Sequence, residues 1–262
     1  MERKPKIVSI VGLTASGKSS VGISFAQFFD GEIISCDSRQ VYKHLDIGTA
    51  KVTKKEQELV KHHMLDVVEP KEEQRYNVFE FQKSVYKIID DILKRDKTPI
   101  LVGGTGLYSR SIVEGYVFTE KSEDNIKKGY KELEPIYEVL QICLLPSKDF
   151  ISKPIRQRIV ERFEKGLIEE TEDLLEKGYK KEFLQSLGLE YFWNIEYIEG
   201  RVNKKEFIEN LYTKTMQFAK RQRTWFKKEK NTVFLTNPDM FLIESEKLIK
   251  EFLTNKKFPF NS

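Results

Sequence analysis

The chain has 262 residues and a formal net charge of +4, with 39% hydrophobic and 33% charged residues. This balance is typical of a globular protein and excludes an intrinsically disordered chain, which has too few apolar residues to build a core. No apolar run approaches the roughly 20 residues of a membrane span, and the residues from Met1 to Pro5 do not resemble a secretory signal. We therefore expect a cytoplasmic protein without a membrane anchor.

The first predicted strand, Ile7 to Val11, leads into a candidate phosphate-binding loop that fits the pattern G-x-x-x-x-G-K-[ST]. The members of the loop are Gly12, Leu13, Thr14, Ala15, Ser16, Gly17, Lys18 and Ser19. In such a loop the backbone N–H groups and the lysine bind a di- or triphosphate, and the last hydroxyl completes the ligand shell of Mg²⁺. Ser19 is thus the predicted metal ligand. Kinases, ATPases, GTPases and other transferases share the motif, so it does not identify the reaction.

A helix is expected after the loop, and its apolar positions are Val21, Phe25, Phe28 and Phe29. The next short strand, Glu32 to Ser35, places Asp37 just beyond its carboxyl end, beside the phosphate loop. A carboxylate at this position either binds Mg²⁺ or takes part in the chemistry, and both roles are open at this stage. Arg39 and Gln40 have the fork-like donors that suit phosphates and base edges.

Three more elements complete the first half of the chain. A short strand is expected at 64–68. Asn77 can cap a helix that runs to about Arg95. Pro99 to Val102 then form another apolar strand. The turn 103–106, which contains Thr105, follows this strand. Polar turns thus follow several strands at their carboxyl ends, which is the edge where ligands bind in open α/β sheets.

The second half is predicted to be mainly helical. The charged stretch 119–134 indicates a polar helical excursion, 137–145 a returning strand, 146–230 several helices and 232–235 an edge strand. These patterns predict an α/β protein with a parallel sheet of the P-loop NTPase type, flanked by helices and carrying a small helical insertion. The expected division is residues 1–115 as the first part of the core, 116–200 as a helical insertion, and 201–262 as the return to the core with a basic helix and a C-terminal helix.

A basic stretch lies between Arg201 and Lys230, where Lys and Arg outnumber Asp and Glu. Within it, the segment 220–226 interleaves cations with Trp225 and Phe226, as nucleic-acid sites do. A solvated helix face explains the charges equally well, and core packing beside Met216 and Phe218 is the simpler role for the two rings.

Together, six segments resemble the tRNA dimethylallyltransferases, a family that attaches an isopentenyl group to an adenine beside the anticodon. They are GLTASGKS at 12–19, DSRQVY at 37–42, DIGTAK at 46–51, HHMLD at 62–66, PILVGGTGLY at 99–108 and AKRQRTWF at 219–226. The resemblance covers nearly all of 6–115 and a second block near 156–228. The phosphate loop alone is weakly specific, whereas the ordered set is strongly specific.

The resemblance implies a reaction and its partners. Dimethylallyl diphosphate is the implied donor, Mg²⁺ the cofactor and the anticodon stem-loop of tRNA the acceptor. The implied product is N6-isopentenyladenosine at position 37 of tRNAs that read codons beginning with U, with diphosphate released. We expect the enzyme to work as a monomer.

The resemblance also assigns residues. Asp37 is the expected general base and Thr105 lies at the catalytic centre, while Arg221 joins the phosphate loop in binding the donor diphosphate. The implied tRNA contacts are Asp37, Ser38, Arg39, Gln40, Thr105, Gln157 and Arg158. The resemblance implies that the region 116–200 contacts tRNA. The chain departs from the family pattern between Gly115 and Pro146, where it is short and lacks the usual asparagine- and arginine-bearing segment.

Two other functions fit parts of the sequence. One is a small-molecule enzyme, either a P-loop kinase or an isopentenyltransferase that acts on free adenine nucleotides. The other is a nucleotide-dependent binding protein, in which Asp37 is a Mg²⁺ ligand.

Overall fold

The structure is a computed structural model that describes residues 4–118, 130–132 and 134–254. Its strands are β1 (Lys6–Gly12), β2 (Gly31–Ser35), β3 (His62–His63), β4 (Thr98–Gly103), β5 (Tyr116–Phe118), β6 (Tyr130–Glu132), β7 (Glu138–Leu144) and β8 (Thr232–Leu235). Its α-helices are α1 (Lys18–Phe28), α2 (Lys54–Leu59), α3 (Val78–Lys94), α4 (Gly106–Val113), α5 (Lys148–Glu164), α6 (Leu167–Glu176), α7 (Lys181–Leu187), α8 (Leu189–Ile198), α9 (Lys204–Phe226) and α10 (Phe241–Thr254).

Six strands form one parallel sheet in the order β3-β2-β4-β1-β7-β8. β1 lies inside the sheet, and its Val8 pairs with Ile100 of β4 on one side and Leu140 of β7 on the other. These three side chains are buried. Strands covered on both faces are apolar throughout, which explains why the runs were recognisable in the sequence. The predicted parallel sheet with flanking helices is therefore confirmed.

Helices cover both faces of the sheet and its carboxyl edge. One apolar cluster includes α3, α4, α7 and α8, and a second lies between the sheet and helices α1 and α10. A third cluster joins Val11 and Leu13, at the end of β1, to α5, α6 and α9. The helices of the second half thus pack over the edge where the phosphate loop begins.

The start of α3 follows the prediction. The Asn77 side chain accepts a hydrogen bond from the Glu80 N–H, and the Glu80 carboxylate accepts one from the Asn77 N–H, which completes a capping box. Phe81, Val85 and Ile89 are fully buried at helical spacing.

Two expectations for the first half of the chain were wrong. Phe28 is 61% exposed and packs edge-on against Phe29 rather than on the sheet. The strand expected at 64–68 does not form, because Met64 and Asp66 have φ values of 64° and 54°, which a β-strand does not contain. The edge strand lies just before them, at β3.

The predicted helical excursion at 119–134 falls largely outside the described residues, which lack 119–129 and 133. Where the structure describes it, the segment differs from the prediction, because β6 pairs antiparallel with β5. The strand β7 lies within the range 116–200 and belongs to the main sheet. The proposed three-part division stays a prediction. Over the described part of the chain, no helix is long and apolar enough to cross a membrane.

Two glycines of the phosphate loop provide a matched test of the fold. A Cβ at Gly12 would overlap the Leu144 carbonyl oxygen, whereas a Cβ at Gly17 would meet no atom within 4 Å. We expect Gly12→Ala to lower the free energy of unfolding by about 3 kcal/mol or more, because backbone atoms cannot rotate away. Gly17→Ala, with a φ of 87°, should cost about 1 kcal/mol through backbone strain alone. Urea denaturation compares the two, and equal losses would contradict this account.

Candidate functional site

A cavity of about 1030 Å³ opens at the carboxyl ends of β1, β2 and β4. Its walls are residues 14–20 and 37–40, residues 48–50, the turn 102–107, residues 185–192, and side chains of α5 and α9. The cavity therefore joins most of the motifs that the sequence singled out, although they are more than 200 positions apart in the chain.

The phosphate loop forms one wall between β1 and α1. Positive φ angles at Ala15 and Gly17 curl the backbone, and the N-terminus of α1 follows at Lys18. Unpaired N–H groups at a helix start attract anions. The Lys18 ammonium donates to the Leu13 carbonyl oxygen. Burial, reinforced by the nearby charge of Arg158, lowers the pKa of Lys18 to about 8.

Arg158, on α5, lies against the phosphate loop. Its Nη2 donates to the Thr14 hydroxyl oxygen at 2.7 Å. Within the described ranges, the buried Nε of Arg158 and the buried hydroxyl of Ser16 have no hydrogen-bond partner. Burial, together with the charge of Arg162, lowers the pKa of Arg158 to about 10. A cavity in which burial and nearby positive charge lower the pKa of both Lys18 and Arg158 is a site that an anion would stabilise.

The other predicted basic and polar contacts differ in position. Arg221 lines the cavity, with its guanidinium 5.8 Å from the centre of the Phe218 ring. Gln157 does not line it, because its amide donates to Glu161 at 2.7 Å on the exposed face of α5. The structure thus separates Gln157 from Arg158, although the two residues are adjacent in the chain.

Asp37 and Thr105 are positioned by hydrogen bonds between neighbouring strand ends. Asp37 Oδ1 accepts from the Arg39 N–H at 2.9 Å, and Thr105 Oγ1 accepts from the Ser38 N–H at 3.1 Å. The Thr105 N–H in turn donates to the Cys36 carbonyl at 3.1 Å. Both predicted catalytic side chains are therefore fixed to one another through the backbone and line the same cavity.

Gln40 also lines the cavity, but its amide is held by the protein. Nε2 donates to the Ala50 carbonyl at 3.1 Å, and Oε1 accepts from the Ser35 hydroxyl at 3.2 Å. Arg39 lies beside it in the cavity wall. A contact between Gln40 and a nucleotide therefore stays a prediction.

Gln222 of α9 is a site residue that the sequence reasoning missed. Its Oε1 accepts from the Thr14 N–H at 2.8 Å, and its Nε2 donates to the Gly104 carbonyl at 3.0 Å. The buried side chain thus bridges the phosphate loop and the turn that carries Thr105. Helical spacing was the available signal, because Ala219 and Phe226 are buried on the same face.

The aromatic residues of α9 have divided roles. Phe226 is 2% exposed and packs in the core, as expected, whereas Trp225 is 38% exposed and lines the cavity. The Trp225 ring lies so close to Gly106 that a Cβ there would overlap it. Phe218 also lines the cavity. The interleaved segment therefore presents rings to the site as well as to the core.

The Gln222 bridge predicts a stability difference. Gln222→Glu keeps an acceptor for the Thr14 N–H but places a carboxylate oxygen against the Gly104 carbonyl. We expect it to lower the free energy of unfolding by about 2–3 kcal/mol, because both oxygens lack a donor. Gln217→Glu, on the exposed face of the same helix, is the matched control and should change stability by about 0.5 kcal/mol or less. Urea titrations measure both, and the bridge is not supported if the variants behave alike.

Comparison with known proteins extends these observations. Residues 40–136 and 118–229 match the family model described as IPP transferase. The tRNA dimethylallyltransferase of Caldicellulosiruptor saccharolyticus is 35% identical over 309 residues, covering 96% of this chain and 97% of the relative. That of Streptococcus uberis is 36% identical, covering 98% and 99%.

A solved structure shows the same fold. The tRNA delta(2)-isopentenylpyrophosphate transferase from Staphylococcus epidermidis superimposes with a TM-score of 0.81 at 31% identity, covering 95% of this chain and 100% of that one. The expected P-loop NTPase-like fold and the family resemblance are both confirmed. The chain belongs to the IPP transferase family, the family of the tRNA dimethylallyltransferases.

Proposed function

We propose that this protein transfers the dimethylallyl group of dimethylallyl diphosphate to N6 of adenine 37 in tRNAs that read codons beginning with U. The products are N6-isopentenyladenosine and diphosphate. The observation that carries the proposal is the shared cavity of the phosphate loop and the Asp37–Thr105 pair in a member of this family. The names of the relatives do not favour a kinase or an enzyme for free nucleotides.

The diphosphate is the leaving group in this reaction. The bond between the allylic carbon and the bridging oxygen breaks, so positive charge builds on the carbon and negative charge on the diphosphate. Lys18, Arg158 and the N–H groups at the start of α1 would stabilise the negative charge where it develops. Arg221, which also lines the cavity, is proposed to assist.

Mg²⁺ fits the donors that line this part of the cavity. The Ser19 hydroxyl in the cavity wall is a hard oxygen donor of the kind that Mg²⁺ takes. The described residues contain no group of three or more His, Cys, Asp or Glu side chains that could hold a metal alone. Ser19 would therefore hold the ion together with diphosphate oxygens and water. When bound, the ion neutralises charge on the departing diphosphate.

Asp37 is the proposed general base. Adenine N6 is a poor nucleophile because its lone pair is delocalised into the ring, so loss of a proton from N6 to Asp37 assists formation of the new carbon–nitrogen bond. The backbone N–H of Arg39 holds the carboxylate in position at 2.9 Å. The Thr105 hydroxyl lies on the same side of the cavity and is proposed to contact the bridging oxygen or the nucleotide.

The acceptor adenine must leave its stack to reach Asp37, because enzymes that act on a base extrude it from stacked nucleic acid. Phe218 and Trp225, both partly exposed in the cavity wall, offer ring faces on which a base can stack. Ser38, Arg39 and Gln40, which follow Asp37 in the cavity wall, are proposed to contact tRNA as well. The exposed Gln157 is proposed to contact tRNA outside the cavity. We also propose that the protein acts in the cytoplasm and, because the described residues of one chain line the cavity, that it acts as a monomer.

The decisive experiment uses unmodified tRNA. The protein is incubated with Mg²⁺, dimethylallyl diphosphate and the tRNA, which is then digested and searched for isopentenyl-adenosine by mass spectrometry. We expect the modified nucleoside. Its absence, together with ATP turnover or transfer to free adenine nucleotides, would overturn the proposal.

The pKa of Lys18 predicts a pH dependence of anion binding. Below pH 8 the ammonium is charged, and above pH 8 it loses its proton. The affinity for inorganic pyrophosphate should therefore fall as pH rises through 8, by up to about tenfold for each pH unit. Calorimetric titration between pH 7 and 9 measures this. Because pyrophosphate itself titrates, the comparison is with Lys18→Met, which should lack the step; superimposable profiles would show that Lys18 does not control binding.

Asp37 can be tested separately as a base and as a structural residue. Asp37→Asn keeps an oxygen acceptor for the Arg39 N–H but cannot take a proton, and Asp37→Ala removes both functions. We expect both variants to lose a factor of about 10²–10⁴ in turnover while tRNA still binds. Single-turnover kinetics and tRNA binding by filter retention give the two quantities. Near-normal turnover of either variant would refute the base assignment.

A further inference from the structure

The loop formed by residues 46–50 is part of the cavity wall that the proposed mechanism leaves without a role. Gly48, Thr49 and Ala50 line the cavity. The loop carries the start of the segment DIGTAK, and it contacts both the helices of the second half and the acceptor side of the site.

A single carboxylate accepts hydrogen bonds from three consecutive N–H groups of this loop. Glu170, on α6, accepts hydrogen bonds from the N–H groups of Asp46 at 2.9 Å, Ile47 at 2.7 Å and Gly48 at 3.0 Å. The hydroxyl of Tyr191 donates to the same carboxylate at 2.8 Å. Hydrogen bonds to an ionised acceptor are about twice as strong as neutral ones. Glu170 therefore fixes three consecutive peptide groups at once, although it does not itself line the cavity.

The Gly48 peptide is enclosed from the other directions as well. Its carbonyl accepts from Arg162 at 3.4 Å, and a Cβ on Gly48 would lie 2.6 Å from the ring of Tyr191. Tyr191 is 1% exposed. Burial and the charge of Glu170 raise the pKa of its hydroxyl well above the usual range, so the hydroxyl stays a donor.

The loop in turn orients Gln40. The carbonyl oxygens of Ala50 and Thr49 accept from Gln40 Nε2 at 3.1 Å and 3.5 Å. These two acceptors fix which end of the amide faces the loop, so the oxygen faces Ser35. A chain of hydrogen bonds therefore connects Glu170, through the loop, to Gln40, which is a proposed tRNA contact.

We propose that Glu170 is a positioning residue for the tRNA acceptor, which acts through the 46–50 loop on Gln40 and the wall beside it. The inference rests on the proposed function. Among the hydrogen bonds of the described residues, Glu170 makes none with the phosphate loop. The effect of Glu170 should therefore fall on tRNA and spare dimethylallyl diphosphate.

Glu170→Gln tests the proposal with little change in volume. A Gln side chain has one acceptor oxygen, and its NH₂ group would face backbone N–H groups, so part of the loop loses its acceptor. We expect the KM for tRNA to rise on the order of tenfold, since small displacements of positioning groups have effects of this size or larger. The KM for dimethylallyl diphosphate should not change. Amide hydrogen exchange should become faster at Asp46, Ile47 and Gly48.

Glu169→Gln is the matched control, because Glu169 is exposed in the same turn of α6. It should behave as the unchanged protein in all three measurements. A second variant, Tyr191→Phe, keeps the ring beside Gly48 and removes one hydrogen bond to Glu170, so a smaller rise in the KM for tRNA is expected.

The outcomes separate this inference from the proposed function. If the unchanged protein makes no isopentenyl-adenosine, the proposed function fails, whereas the exchange measurement still tests whether Glu170 holds the loop. If the unchanged protein is active and Glu170→Gln matches Glu169→Gln, the positioning role is wrong. A fall in kcat with both KM values unchanged would indicate a loss of folded protein and would also contradict the proposal.

Discussion

The close approach of β1 and β7 at Gly12 is the constraint on which the site depends. At this point the backbone passes so near the Leu144 carbonyl that no side chain fits, and the φ of Gly12 is 146°. The chain can therefore leave the sheet at once and curl into the phosphate loop, while β7 continues beside it into α5. The phosphate loop and α5 therefore start from the ends of neighbouring strands, and α5 carries Arg158.

The electrostatic character of the cavity follows from that arrangement. Lys18 and Arg158 both line the cavity, and the pKa of each is lowered by burial and by a nearby arginine, which is Arg158 for Lys18 and Arg162 for Arg158. Repulsion between the positive charges destabilises the protein without a ligand, and a negatively charged ligand would offset this repulsion. The donor side of the cavity is thus built for an anion, whereas the acceptor side, with Trp225 and Phe218, offers ring surfaces.

Local patterns allowed much of the fold and of the donor site to be predicted. The runs of β1 and β4 were recognisable because both faces of these strands are buried, and α3 because Asn77 and its apolar spacing mark it. Gln222 could not be recognised from local sequence, because its two partners, Thr14 and Gly104, come from distant segments. The contact between Arg158 and Thr14 could not be recognised for the same reason, since only the packing of α5 brings them together, and the predicted contact of Arg158 with tRNA stays a prediction. The turns at Met64 and Asp66 have left-handed backbone angles, and the residue types at 64–68 did not distinguish these turns from a strand.

The bridge formed by Gln222 has a thermodynamic consequence for substrate binding. Helix α9 contacts the phosphate loop through Gln222, and one turn further along it contributes Trp225 to the cavity wall. A ligand that shifts this helix from either side alters the surroundings of the other, and linkage requires the resulting cooperativity to be equal in both directions. With the donor and tRNA bound as proposed, both would contact groups carried by α9, so a shift of this helix on binding of one ligand would change the surroundings of the other.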